Sequence, residues 1–274
     1  MNTSDLFFHG DSFFHKLDAS IKLLSVIVWT IFIFKFQDIR VFALFLIVGL
    51  IMLYISKVPA KLLKAPFIFI VLFTIFNSIF LLVITPQYGS ELTGTYTYVI
   101  QTDHYAMTYE TVFYMLTLSM KYLALLPITL LFVFTTHPTQ FASSLNRIGV
   151  NYKIAYSVNL SLRYIPTVVD EMWTIKNALM IKGINIDDET NKIKKLKLYL
   201  NLLIPLMKNS IEKIDTISNA MDLRSFGYGK KRTWYRFEKF QTRDYAALAT
   251  LVILMVLFLL FFAFEPRVFY YPFI

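Results

Sequence analysis

Few residues in this chain have the type and spacing that chemistry requires. The four histidines, His9, His15, His104 and His137, are scattered without His-x-x-His or His-Glu-x-x-His spacing, so no metal site is expected. Cysteine is absent, which removes disulfides, thiolate metal sites and cysteine nucleophiles together. Gly227-Tyr228-Gly229-Lys230 lacks the loop length and the hydroxyl residue of a phosphate-binding P-loop. Lys121 is the ionisable residue clearly inside an apolar segment, and Glu110 lies at the outer edge of the same one. A membrane-embedded enzyme needs converging acids, bases or ligands, and these are missing. No catalytic residue and no cofactor of the chain's own is expected.

What remains is a pair of helix endings. One reads Ala178-Leu179-Met180-Ile181-Lys182-Gly183, the other Ala220-Met221-Asp222-Leu223-Arg224-Ser225. A cation in the last turn meets the free carbonyls and the negative end of the helix dipole. Gly183 suits a left-handed cap. A basic residue followed by a small one is an ordinary way to stop a helix. Two parallel endings on amphipathic helices also describe a pair of cationic plugs for acidic grooves on another protein.

The elements that carry these endings follow from composition. The chain has 274 residues, 57% of them apolar and 16% charged, against about 25% charged in ordinary soluble domains. That is too little polar surface for a soluble globule, and it points to an all-α membrane protein. About 20 apolar residues span a bilayer core. Five segments come close: Ile21–Phe36, Val41–Ser56, Pro66–Thr85, Thr108–Thr136 and Tyr245–Phe264. Residues 1–20 carry Asp5, Asp11, Lys16 and Asp18 and do not read as a signal peptide. The pairs Phe7-Phe8 and Phe13-Phe14, and Phe269-Tyr270-Tyr271 at the far end, read as interfacial aromatics. Asn77 and Ser78 read as helix-packing polar groups.

The net charge of +9 is concentrated. Residues 137–244 hold 18 basic and 10 acidic residues, so eight of the nine net charges lie between the fourth and fifth spans. The loop with Lys57, Lys61 and Lys64 is basic too, whereas Pro86–Met107 has no Lys or Arg. By the bias of Lys and Arg toward cytoplasmic loops, the N-terminus and residues 137–244 are inside and the C-terminus is outside. The domains are then 1–136 with four spans, 137–244 as a cytoplasmic helical region, and 245–274 with the last span. Within 137–244, a short helix starts near Pro138 and runs through Leu145. Apolar residues recur at steps of three or four from Ile154 to Leu179 and from Leu196 to Met221. The polar stretch 185–191 connects the two. Each long helix contains one proline, Pro166 or Pro205, expected to kink it. Their apolar stripes exceed what each can hide on the other, so part of this surface should face the membrane domain, a partner, or both. The basic run Lys192, Lys194, Lys195 and Lys197 reads as a solvated or lipid-facing helix end. It has no interleaved aromatics, and no nucleic-acid partner is expected.

With these residues in place, the chain resembles the transmembrane (T) component of energy-coupling factor (ECF) transporters, the CbiQ-like family. That family carries two Ala-Arg-Gly-type signatures at the ends of cytoplasmic coupling helices. Ile181-Lys182-Gly183 and Leu223-Arg224-Ser225 fall where the signatures belong. Leu17-Asp18-Ala19-Ser20-Ile21-Lys22-Leu23-Leu24 resembles the family's opening segment, and Leu162-Arg163-Tyr164-Ile165-Pro166-Thr167 resembles a stretch of its first coupling helix. Residues 225–233 resemble its Gly-rich basic tail, and Lys121 sits where a membrane-embedded cation tends to occur. The chain departs at Lys182, which keeps the charge of Arg but loses its planar fork. It departs also at Ile181 and Leu223 in place of Ala, and at Ser225 in place of Gly.

The resemblance implies a non-enzymatic scaffold in a bacterial or archaeal cell membrane. Two cassette ATPases would bind ATP and dock the six signature residues. A separate substrate-binding membrane subunit would carry a vitamin or a metal ion. Arg163, Pro166 and Pro205 would support the coupling helices. Lys121 would serve either in coupling or as a structural partner of a carbonyl or hydroxyl, with the carbonyls that Pro127 frees as candidates. A self-contained carrier is the alternative, but the element order shows no two-fold inverted repeat.

Overall fold

The computed structural model describes Gly10, residues 12–102, 105–184, Ile186, 190–229, Trp234, 240–264 and Pro272. Phe7, Phe8, Lys230, Lys231, Arg232, Thr233 and Phe269-Tyr270-Tyr271 lie outside the described residues, as do His9, His104 and most of the 185–191 connection. The chain divides into two compact units, Pro138–Phe237 and the combination of Leu6–His137 with Glu238–Ile274.

The larger unit is built of α1 (Ala19–Lys35), α2 (Ile39–Ser56), α3 (Ala60–Ile84), α4 (Tyr88–Thr93), a hairpin of β1 (Tyr98–Thr102) and β2 (Tyr105–Thr108), α5 (Tyr109–Thr135) and α9 (Thr242–Phe264). Among the described residues, α2, α3, α5 and α9 are long and apolar enough to cross a membrane. The expected first span, Ile21–Phe36, is the 17-residue α1, about 25 Å at 1.5 Å per residue. Local chemistry sets the boundaries. Asp18 caps α1 by accepting from the Ser20 amide at 2.8 Å, and Asp38 caps α2 by accepting from that of Arg40 at 2.9 Å. Helix α2 stops on Lys57 in the left-handed region, φ 56°, just before Val58-Pro59. Helix α3 begins six residues before the expected Pro66, which lies inside it.

Helix α5 is the hub, packing on α1, α2, α3 and α4. Its Ala124 and Ile128 meet Trp29, Ile33, Phe42 and Phe45 in one buried cluster. Its Leu130, Leu131 and Phe134 meet Leu53 and Val58 in a second, with Leu62 and Leu63 of α3 alongside. Gly49 permits a close approach of α2 to α5, because a Cβ there would lie 2.7 Å from Pro127 Cβ. Trp29 Nε1 donates to the Ala124 carbonyl at 3.1 Å, beside the backbone that Pro127 disturbs.

The two ends of this bundle differ in charge. At one end, Lys22 Nζ donates to the Thr135 carbonyl at 2.8 Å, and the Asp18 amide donates to Asp244 Oδ1 at 3.0 Å. These bonds put the start of α1, the end of α5 and the start of α9 at one level. The second cluster adds the end of α2 and the start of α3, with Lys57, Lys61 and Lys64. The opposite end is capped by α4 and the hairpin. There the buried Glu110 carboxylate accepts from the hydroxyls of Ser90, Thr95 and Thr97 and from the Thr97 amide.

The smaller unit contains α6 (Pro138–Arg147), α7 (Tyr152–Ile181) and α8 (Lys192–Leu223). Asn151 and Asn191 cap the two long helices through side-chain oxygens that accept from amides at 3.0 Å, Lys153 and Ile193 respectively. Helix α6 packs on α7, and α7 on α8.

Candidate docking ends of the long helices

The residues singled out in the sequence lie at the C-terminal ends of α7 and α8, and both ends are built alike. In α7 the Gly183 amide donates to the Met180 carbonyl and the Ile184 amide to that of Leu179, both at 3.0 Å. In α8 the Ser225 amide donates to the Asp222 carbonyl at 2.9 Å and the Phe226 amide to that of Met221 at 3.0 Å. Both are Schellman motifs, which need a left-handed residue after the cap. Gly183 supplies it at φ 79°, and Ser225 does so at φ 53° despite its side chain. Lys182 and Arg224 are therefore equivalent cap residues. The residue before each cation, Ile181 or Leu223, is 88% exposed, which is far more than an apolar cap contact would leave. Each end thus presents an apolar tip beside an exposed cation.

The pair runs antiparallel. Phe226, just past the end of α8, packs edge-on against Tyr152 and at a tilt against Tyr156 near the start of α7, at centroid distances of 5.7 and 4.6 Å. Further along, Lys213 of α8 forms an ion pair with Glu171 of α7. Lys182 lies eleven residues beyond Glu171, and Arg224 lies eleven beyond Lys213. Each cation is therefore about 16 Å of helix from this ion pair, in opposite directions. The two ends lie apart at opposite ends of the helix pair and do not form one composite site.

The structure distributes the other candidates more widely. Arg163 is exposed on α7, and Pro166 and Pro205 lie inside continuous helices. Buried residues on α7 and α8 are few: Tyr152 and Ala155 on one, Leu202 and Leu206 on the other. The apolar stripe through Leu196, Leu200, Leu203, Met207, Ile211 and Ile214 is exposed. Lys121 lies with its ammonium 4.5 Å from the centre of the Phe34 ring, a cation–π contact with α1. Near Pro127, Trp29 Nε1 donates to the Ala124 carbonyl and Thr129 Oγ1 to that of Leu125. Sequence reasoning missed Phe34 and Trp29, which only the packing of α1 on α5 brings there.

Comparison with known proteins decides the family. The CbiQ family, described as cobalt transport protein, matches over residues 10–235.

The chain belongs to that family.

Its relatives include transmembrane proteins of energy-coupling factor transporters, named EcfT. The protein from Streptococcus equi subsp. equi is 28% identical over 255 residues, covering 89% of this chain and 90% of the relative. The protein from Lactococcus lactis subsp. cremoris is 27% identical, covering 89% and 91%. That from Bacillus subtilis is 26% identical, covering 89% and 92%. The match takes in both cationic ends and every described element up to Trp234. Membership in this family makes the chain the transmembrane component of a transporter of the energy-coupling factor type, a transport subunit.

Proposed function

We propose that the chain is the scaffold through which two cassette ATPases act on a separate substrate-binding membrane subunit that imports a micronutrient. In this reading Ile181-Lys182-Gly183 docks one ATPase and Leu223-Arg224-Ser225 docks the other. The observation that carries it is the pair of identically built ends. Each has an exposed apolar tip and a cation, and each lies eleven residues out from the ion pair that joins the helices. Two equivalent contact points at opposite ends of the helix pair suit two copies, or two homologues, of one partner. Lys182 offers its groove a point charge and Arg224 offers a planar fork, so the two docking contacts are unequal.

The charge asymmetry of the membrane unit supports a cytoplasmic location for the basic end, with Lys22, Lys57, Lys61 and Lys64. Helix α5 ends and α9 begins at that end, and the 138–237 segment connects them. Arg163, Pro166 and Pro205 would then shape the transmission element, and the exposed stripes of α7 and α8 would meet the substrate-binding subunit. The reading is tested by Lys182→Glu combined with Arg224→Glu in the whole transporter. Membrane insertion should persist while ATPase association and uptake are lost. If the doubly reversed chain keeps its ATPases and still supports uptake, the docking assignment is wrong.

A further inference from the structure

A groove of about 420 Å³ opens in the membrane unit between α1, α2 and α9. Trp29, Phe32, Phe45, Ala247 and Leu251 are among its lining residues, and Phe13 and Phe14 close its end near the start of α1. Its two hydroxyls are spent on their own helices. Ser25 Oγ donates to the Ile21 carbonyl at 2.7 Å, and Thr250 Oγ1 to that of Ala246 at 2.9 Å. The groove therefore offers an occupant apolar contact and nothing polar.

Its depth selects among apolar occupants. The lining of α9 runs from Ala246 to Phe258, about 18 Å of helix. One leaflet of a bilayer core is about 15 Å deep, and a partner's spanning helix would need the full thickness of about 30 Å. The groove thus has the depth of one acyl chain. Its entrance is polar in a matching way. One turn before Ala246 and Ala247 stands Arg243, whose Nε is buried with no hydrogen-bond partner among the described residues. The neighbouring carboxylate of Asp244 is already engaged by the amides of Asp18 and Gln241, at 3.0 and 2.8 Å. Lys16 is exposed in the turn that carries Phe13 and Phe14.

We infer that this groove holds one acyl chain of an anionic phospholipid, with the headgroup phosphate at Arg243, in the leaflet on the side where α1 and α9 begin. The inference concerns the membrane unit alone and is independent of ATPase docking.

Trp29 is a built-in reporter, since the other two tryptophans, Trp173 and Trp234, lie in the smaller unit. The test uses the full chain carrying Trp173→Phe and Trp234→Phe in phosphatidylcholine vesicles with rising fractions of acyl-brominated lipid. Brominated phosphatidylglycerol should quench Trp29 at lower mole fractions than brominated phosphatidylcholine. Arg243→Gln should weaken that preference about fivefold, the effect of one cation near an anionic headgroup. Ala247→Phe, which fills the groove, should reduce quenching by both lipids. Equal quenching by the two lipids, unchanged by Arg243→Gln, would overturn the inference. So would quenching that falls as the protein-to-lipid ratio rises, which would assign the groove to a second copy. Quenching lost on assembly of the whole transporter would assign it to a partner helix and overturn the inference as well.

Discussion

The two Schellman caps make opposite predictions for two single substitutions. Gly183 and Ser225 occupy the same position in the same motif, at φ 79° and 53°. A non-glycine residue in the left-handed region costs about 1 kcal/mol. No atom lies within 4 Å of a Cβ built on Gly183, so Gly183→Ala meets no clash and should cost this conformational term less about 0.5 kcal/mol for the stiffer unfolded chain, a net loss of about 0.5 kcal/mol. Ser225→Gly should recover it, less about 0.5 kcal/mol for the freer unfolded chain, leaving a net gain of about 0.5 kcal/mol. The assay is hydrogen exchange at the two amides that close the caps, Ile184 to the Leu179 carbonyl and Phe226 to that of Met221. Gly183→Ala should speed exchange at Ile184 about twofold, and Ser225→Gly should slow it at Phe226 about twofold, since 1.4 kcal/mol is a factor of ten. Gly183→Asn should cost less than Gly183→Ala, because Asn visits this region more readily. Faster exchange at Phe226 in Ser225→Gly would refute the reasoning, as would an unchanged Ile184 in Gly183→Ala.

Three further outcomes follow from the packing. Gly49→Ala should destabilise the membrane unit by about 1–3 kcal/mol through overpacking against Pro127, and an unchanged melting temperature in detergent would contradict that contact. Glu110→Ala should remove the charged acceptor shared by the buried Ser90 hydroxyl, which keeps Thr108, and by the exposed Thr95 and Thr97 hydroxyls, which turn to water, at a cost on the order of 1.5–3 kcal/mol. The hairpin should then become sensitive to limited proteolysis while α5 stays protected, and resistance equal to wild type would count against the cluster. Glu171→Lys combined with Lys213→Glu should melt closer to wild type than either single change, and additive losses would deny the ion pair.

Much of this architecture is legible in the sequence because its signals are local. The steps of three and four from Ile154 to Leu179 and from Leu196 to Met221 lie within α7 and α8. Pro138 opens α6, as its fixed φ favours. The misplaced boundary at Pro66 has a physical reason: a proline inside a membrane helix is tolerated where neighbours re-satisfy the freed backbone, so it does not mark a start. The hairpin is absent from the sequence reading, although Thr95-Tyr96-Thr97-Tyr98-Val99 is β-rich. Its stabilisation comes from Glu110, thirteen residues beyond Thr97, which no local pattern reveals. Gly49 and Trp29 were invisible for the same reason, since each matters only against Pro127 or Ala124 on another helix. The cationic ends were legible as residue types. Their equal distance from the ion pair appears only once α7 and α8 are packed.

The central claim is that the two ends engage separate ATPase copies. The chain has no cysteine, so single cysteines at the two most exposed tips are unambiguous probes. In the assembled transporter, Ile181→Cys and Leu223→Cys should each cross-link to an ATPase subunit carrying a reporter cysteine in its docking groove. The chain bearing both substitutions should yield a product with two ATPases attached. A double-cysteine chain that captures only one ATPase, or two tips that cross-link to none, would contradict the account.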